Sequence, residues 1–115
     1  MGTRVYFNPS CSKCRTVQGI LSDKGVEAEY VRYLDAAPTR ETLVEVMRLL
    51  GIDDPRRMMR TGEAVYADLG LASVSPDGLL DAMVANPVLI ERPIVVHDGK
   101  AVIARPAERV LSLFE

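Results

Sequence analysis

The sequence predicts a single α/β domain spanning residues 1–115: a small mixed four-stranded sheet flanked by helices, with a helical insertion between its two halves. Three observations predict it. The stretch from Val5 to Leu34 reads strand, helix, strand, the order of a parallel pair joined by a crossover helix. The stretch from Ile94 to Phe114 reads strand, tight turn, strand, helix, which supplies an antiparallel hairpin. Between them only helical patterns occur, so the chain divides into a β-α-β half, a helical block and a β-β-α half.

Val5 to Phe7 is a short apolar strand. A helix follows from about Ser12 to Lys24, because Val17, Ile20 and Leu21 recur at helical spacing and Gly25 is a natural stop. Tyr30 to Leu34 is a second strand, in which Tyr30, Val31 and Tyr33 supply β-favouring side chains. Pro38-Thr39 opens a second helix; Leu43, Val46, Met47 and Leu50 form its apolar stripe and Gly51 ends it. Asp53-Asp54-Pro55 reads as a cap followed by proline at the first helical position, so a short helix runs through Met58 and Met59. Gly62 breaks it, and a second short piece reaches Leu69. Ser75-Pro76-Asp77 starts a helix through Leu79, Leu80, Met83 and Val84, which Asn86-Pro87 terminates. Ile94 to Val96 is a strand, Asp98-Gly99 a two-residue hairpin turn and Ala101 to Ala104 the return strand. Pro106 begins the last helix, with Val110, Leu111 and Phe114 inward.

Composition narrows the function. At 48% hydrophobic, the chain has enough apolar mass for a core without disulfide staples. A net charge of -2 argues against nucleic-acid binding through bulk charge. No run approaches the roughly 18 apolar residues of a membrane span, and no signal-peptide pattern precedes the first strand, so a cytoplasmic protein is expected. In a reducing compartment, two cysteines three residues apart are catalytic or metal-binding rather than structural. Structural zinc usually takes four ligands, and this chain offers one cysteine pair and the single His97, so no metal site is expected. His97, beside the Asp98-Gly99 turn, reads as a solvated hairpin residue.

The chemistry concentrates in Asn8-Pro9-Ser10-Cys11-Ser12-Lys13-Cys14-Arg15, directly after the first strand. Cys11 falls where the helix starts, and there unpaired N–H groups and the helix dipole favour a thiolate. The thiolate is the nucleophilic form, so Cys11 reads as catalytic. Cys14 has two readings: the second thiol of a redox dithiol, or a small core residue, since Cys14, Val17 and Leu21 follow the inward i, i+3, i+7 stripe. Arginines give the second signal. Arg92 precedes Pro93 at a strand entry, Arg105 precedes Pro106 at a helix start, and Arg60 ends the Arg56-Arg57-Met58-Met59-Arg60 run. Arg56 and Arg57 read as solvated surface charges. A thiolate near several guanidinium groups suits a tetrahedral oxyanion, whose oxygens arginine binds bidentately. The Cys-x5-Arg loop of low-molecular-weight phosphatases is absent, since Val17 stands six residues after Cys11.

Tyr6-Phe7-Asn8-Pro9-Ser10-Cys11-Ser12-Lys13, then Arg60, then Pro87 through Val96, then Arg105-Pro106, resembles the glutaredoxin-dependent arsenate reductase (ArsC-type) family over nearly the whole chain. The resemblance implies a thioredoxin-like fold with a helical insertion and a cis bond at Pro93. It implies that Cys11 attacks arsenate while Arg60, Arg92 and Arg105 hold the oxyanion, that glutathione attacks the adduct as co-substrate, and that glutaredoxin resolves the mixed disulfide. No tightly bound cofactor, nucleic acid or membrane is implied. Some relatives carry His where this chain has Phe7, and Cys14 stands where Ser is common, so Cys14 is a candidate resolving thiol. The chain also stops at Glu115, shortly after the last helix, without the longer tail of some relatives. Two further readings share the fold: a general thiol–disulfide oxidoreductase using Cys11 and Cys14, and a redox-sensing regulator of the Spx type that binds RNA polymerase. The three arginines favour the reductase, because a dithiol exchanger needs no oxyanion cradle.

Overall fold

A computed structural model describes residues 2–114. The chain forms two compact units. One holds the described residues up to Ala36 together with those from Arg92 onward, and the other spans Ala37–Glu91.

The first unit is built on a four-stranded sheet of order β2-β1-β3-β4, with β1 Thr3–Phe7, β2 Glu29–Arg32, β3 Ile94–His97 and β4 Lys100–Ile103. β1 pairs parallel with β2 and antiparallel with β3, and β3 pairs antiparallel with β4. Helix α1, Ser12–Asp23, makes the crossover between the parallel strands. Alternation along β1 sends Val5 and Phe7 to one face, where they meet Cys14, Val17 and Leu21 of α1, Val95 of β3 and, from the C-terminal segment, Ala104, Ala107 and Val110. Phe7 also packs edge-on against Tyr30, with ring centroids 5.1 Å apart. Gly25, in the left-handed region at φ 70°, ends α1 and lets the Val26 N–H donate back to the Leu21 carbonyl at 2.9 Å. Asp98 and Gly99, at φ 51° and 78°, make the expected two-residue turn between β3 and β4.

Three expectations for this unit need correction. β2 stops at Arg32, short of Leu34, because the Asp35 and Ala36 N–H groups both donate to the Arg32 carbonyl at 3.0 Å and turn the chain away. The last helix is a 3-10 helix over Ala107–Phe114, entered with an Arg109 N–H to Pro106 carbonyl bond of 3.0 Å; it places Val110 fully inside, with Leu113 and Phe114 partly so. His97 is half-buried rather than solvated: its Nδ1 lies 2.8 Å from the Thr3 hydroxyl, and its ring lies 4.4 Å from that of Phe114.

The second unit carries α2 Arg40–Leu50, α3 Ala64–Asp68 and α4 Pro76–Ala85, joined by short 3-10 turns at Pro55–Met58, Leu71–Ser73 and Pro87–Leu89. Its caps follow the sequence signals: the Thr39 side chain accepts from the Thr42 N–H, Ser75 from the Gly78 N–H, and Asp54 from the Arg56 N–H. Leu43, Met58, Leu79, Met83 and Leu89 are buried within it. Arg40 ties α2 to α4 by ion pairs to Asp77 at 2.8 Å and Asp81 at 2.6 Å. Arg56, expected as a surface charge, is instead half-buried and donates to the carbonyls of Leu71, Ala72 and Val74 at 2.7–3.0 Å. Arg57 is exposed as expected. Among the described residues, no helix is long and apolar enough to cross a membrane.

Candidate active site

The site starts with a turn. After β1, the Ser10 N–H donates to Asn8 Oδ1 and the Cys11 N–H to the Asn8 carbonyl, each at 2.9 Å. This turn delivers Cys11 to the N-cap of α1 in extended geometry, φ -88° and ψ 124°, while its carbonyl accepts the first helical bond from Arg15 at 3.1 Å. No side chain caps the helix there, so the sulfur occupies the place of a cap oxygen.

Burial is the largest single influence on the Cys11 thiol and works against ionisation. It is outweighed by the Cys14 N–H, the Arg92 guanidinium, the Cys14 thiol and the Lys13 N–H, which together bring the thiol from its ordinary 9.0 down to about 7. Lys13 and Cys14 are the second and third helical residues, whose N–H groups have no carbonyl partner within the helix. A substantial fraction of Cys11 is therefore thiolate at neutral pH. Cys14 shows the opposite behaviour. It is fully buried, and burial, reinforced by the neighbouring Cys11, pushes its thiol up to about 11 against the pull of the Asn8 N–H and Arg92. The Asn8 N–H points at Cys14 Sγ from 3.5 Å. Both cysteines are free thiols.

Arg92 comes from the entry of β3 and Arg105 from the segment after β4. The pairings Phe7 with Arg32, Tyr6 with Ile94, and Ile94 with Ile103 carry Asn8, Tyr33, Pro93 and Ala104 out of the same end of the sheet. The Arg92–Pro93 peptide is cis, and the Ala104 N–H donates to the Pro93 carbonyl at 2.9 Å. Arg105, which also precedes a cis proline, donates from Nη1 to the Arg92 carbonyl at 2.9 Å. Burial disfavours the charge on Arg92, but interaction with Cys11 and Tyr33 more than restores it and raises its pKa. Arg60 lies in the second unit, where Glu63 at 3.5 Å and Glu91 at 3.4 Å flank its guanidinium and its N–H donates to the Leu89 carbonyl.

The first unit links Cys11 to Cys14 and to Arg92, ties Arg105 to the Arg92 backbone, and adds one residue that was read only as a strand former. Tyr33 is the largest fully buried side chain among the described residues, and it interacts electrostatically with Arg92. The signal was available in the parallel register, which sets Tyr33 one step past the end of β2, level with Asn8. Among the described residues, no group of three or more His, Cys, Asp or Glu side chains gathers as a metal site.

A parallel β-α-β unit, an antiparallel hairpin, a cis proline at the entry of β3 and a low-pKa thiol at a helix start define a thioredoxin-like protein. The ArsC family profile matches residues 6–113, and the chain belongs to the ArsC family. It is 46% identical over 112 residues to the uncharacterized protein YfgD of Escherichia coli strain K12, covering 96% of this chain and 94% of that one. It is 39% identical over 109 residues to an arsenate reductase of Neisseria meningitidis, covering 93% of each. The solved structure of an arsenate reductase from Vibrio cholerae superposes with a TM-score of 0.95 at 40% identity, covering 98% of both chains.

Proposed function

We propose that this protein reduces arsenate to arsenite, with the Cys11 thiolate as nucleophile in an arginine-lined oxyanion site. The observation that carries the reading is a thiol poised at about 7 beside the Arg92 guanidinium, in a chain whose relatives include named arsenate reductases. Attack by Cys11 displaces one arsenate oxygen as water and forms a sulfur–arsenic bond. Arg92 stabilises the thiolate before attack and the oxyanion after it, and Arg105, fastened to the Arg92 backbone, supplies further donors. Arg60 is assigned to the same oxyanion on the family resemblance alone. A thiol then attacks the Cys11 sulfur, the sulfur–arsenic electron pair returns to arsenic, and arsenite leaves. Glutathione is the external thiol and glutaredoxin regenerates Cys11. The cation-rich setting of Cys11 favours this reading over plain dithiol exchange or transcriptional regulation, neither of which requires an oxyanion site.

The test is arsenite production by the purified protein with arsenate, glutathione, glutaredoxin and a glutathione-reducing system, with Cys11→Ser as control. Arsenite formed by the parent and not by the variant supports the reading. Equal arsenite from both, or none from the parent, would remove it.

A further inference from the structure

Resting on the reading of Cys11 as the arsenate nucleophile, we infer that Cys14 is a built-in resolving thiol: it attacks the Cys11–arsenic adduct, closes a Cys11–Cys14 disulfide and releases arsenite before any external thiol has acted.

The geometry has three parts. Cys11 is the N-cap of α1 and Cys14 the third helical residue, so the two sulfurs lie on one face of the first turn and interact directly. Cys14 is fully enclosed by the core that includes Val17 and Leu21, so no thiol from solution reaches it. Its one reactive outlet is the sulfur beside it. The Asn8 N–H, at 3.5 Å from Cys14 Sγ, is a donor already in place for a negative sulfur.

The pair also changes character as the reaction proceeds. In the free enzyme, Cys11 carries the charge, and its presence is one of the influences that keep Cys14 protonated. Once Cys11 sulfur is bonded to arsenic, the negative charge leaves that sulfur for the arsenic-bound oxygens. Burial remains, against the Asn8 N–H and the positive charge of Arg92, which both favour a Cys14 thiolate. Forming the adduct therefore relieves one of the influences that hold the Cys14 proton, while the Cys11 sulfur beside it becomes the electrophile.

The electrons balance within the chain. Cys11–SH and arsenate give Cys11–S–As(V) and water. Cys14 sulfur, losing its proton, attacks Cys11 sulfur; the sulfur–arsenic bond breaks, its pair stays on arsenic, and As(V) becomes As(III). Two thiols have become one disulfide, and an external dithiol or two molecules of a monothiol reopen it. In this scheme glutathione and glutaredoxin act on the disulfide rather than on the adduct.

A single-turnover experiment tests this. The fully reduced full-length protein, freed of small thiols, is mixed with excess arsenate, quenched with an alkylating agent and assayed for arsenite and free thiols. The inference predicts about one arsenite per chain, with both thiols lost to an intramolecular disulfide. Cys14→Ser should make no arsenite under these conditions and recover it when glutathione is added. Arsenite from the parent only when glutathione is present would overturn the inference while leaving the proposed activity intact. No arsenite from either protein under any condition would overturn both. Cys14→Ala and a thermal melt guard against a folding defect in the serine variant, and the parent measurement stands without either.

Discussion

The Arg105 guanidinium donates from Nη1 to the backbone carbonyl of Arg92 at 2.9 Å. Two arginines 13 positions apart in sequence are thereby joined at the end of the sheet that also carries Cys11. The bond fastens the Arg105 guanidinium beside the strand entry at Arg92–Pro93. Arg105→Ala removes that bond together with the guanidinium charge. Arsenate KM should rise by about tenfold or more, the loss expected for charge-assisted hydrogen bonds. Steady-state kinetics check this, and an unchanged KM would exclude Arg105 from the oxyanion site.

Arg92 acts on the nucleophile itself. Its guanidinium is one of the groups that lower the Cys11 thiol, so Arg92→Leu should move the thiol upward toward its ordinary 9.0. The rate of Cys11 alkylation at pH 6 should fall accordingly, because only the thiolate reacts. The Cys14 thiol complicates a single-probe readout, but its burial keeps it out of reach of the reagent.

Tyr33→Phe tests the residue behind Arg92. Removing the phenol oxygen takes away one of the two side chains that favour the Arg92 charge. The Cys11 alkylation profile should shift upward by less than in Arg92→Leu. A variant that loses thermal stability with an unmoved profile would make Tyr33 a packing residue only.

The core of the first unit gives a stability prediction. Leu21 is fully buried between β1 and the C-terminal segment, so Leu21→Ala should cost about 2–5 kcal/mol in urea unfolding. The neighbouring Cys14 shares that core. A loss below the lower bound would mean that the cavity collapses and Cys14 moves with it.

Much of this molecule was legible because its signals are local. Gly25 and Gly51 end helices through left-handed backbone, Thr39 and Ser75 cap them, and Asp98-Gly99 turns the hairpin. Cys11 was legible for the same reason: strand, turn and helix start are adjacent in sequence. The rest depends on partners far along the chain. Arg56 looks like a surface charge until the carbonyls of Leu71, Ala72 and Val74 converge on it. His97 acquires Thr3 and Phe114 only once the chain ends meet. Tyr33 is a strand former by composition and a brace for Arg92 by register. The 3-10 character of Ala107–Phe114 could not be read because i, i+3 spacing serves both helix types.

The central claim is that Cys11 is a thiolate at neutral pH within reach of a bound oxyanion. The most direct measurement is the rate of iodoacetamide alkylation of Cys11 against pH, with and without arsenate. Thiolate is the reactive form, so the rate should climb as pH rises through about 7 and level off above it. Arsenate should slow the reaction across that range. A midpoint at the ordinary 9.0 with no protection by arsenate would contradict the account.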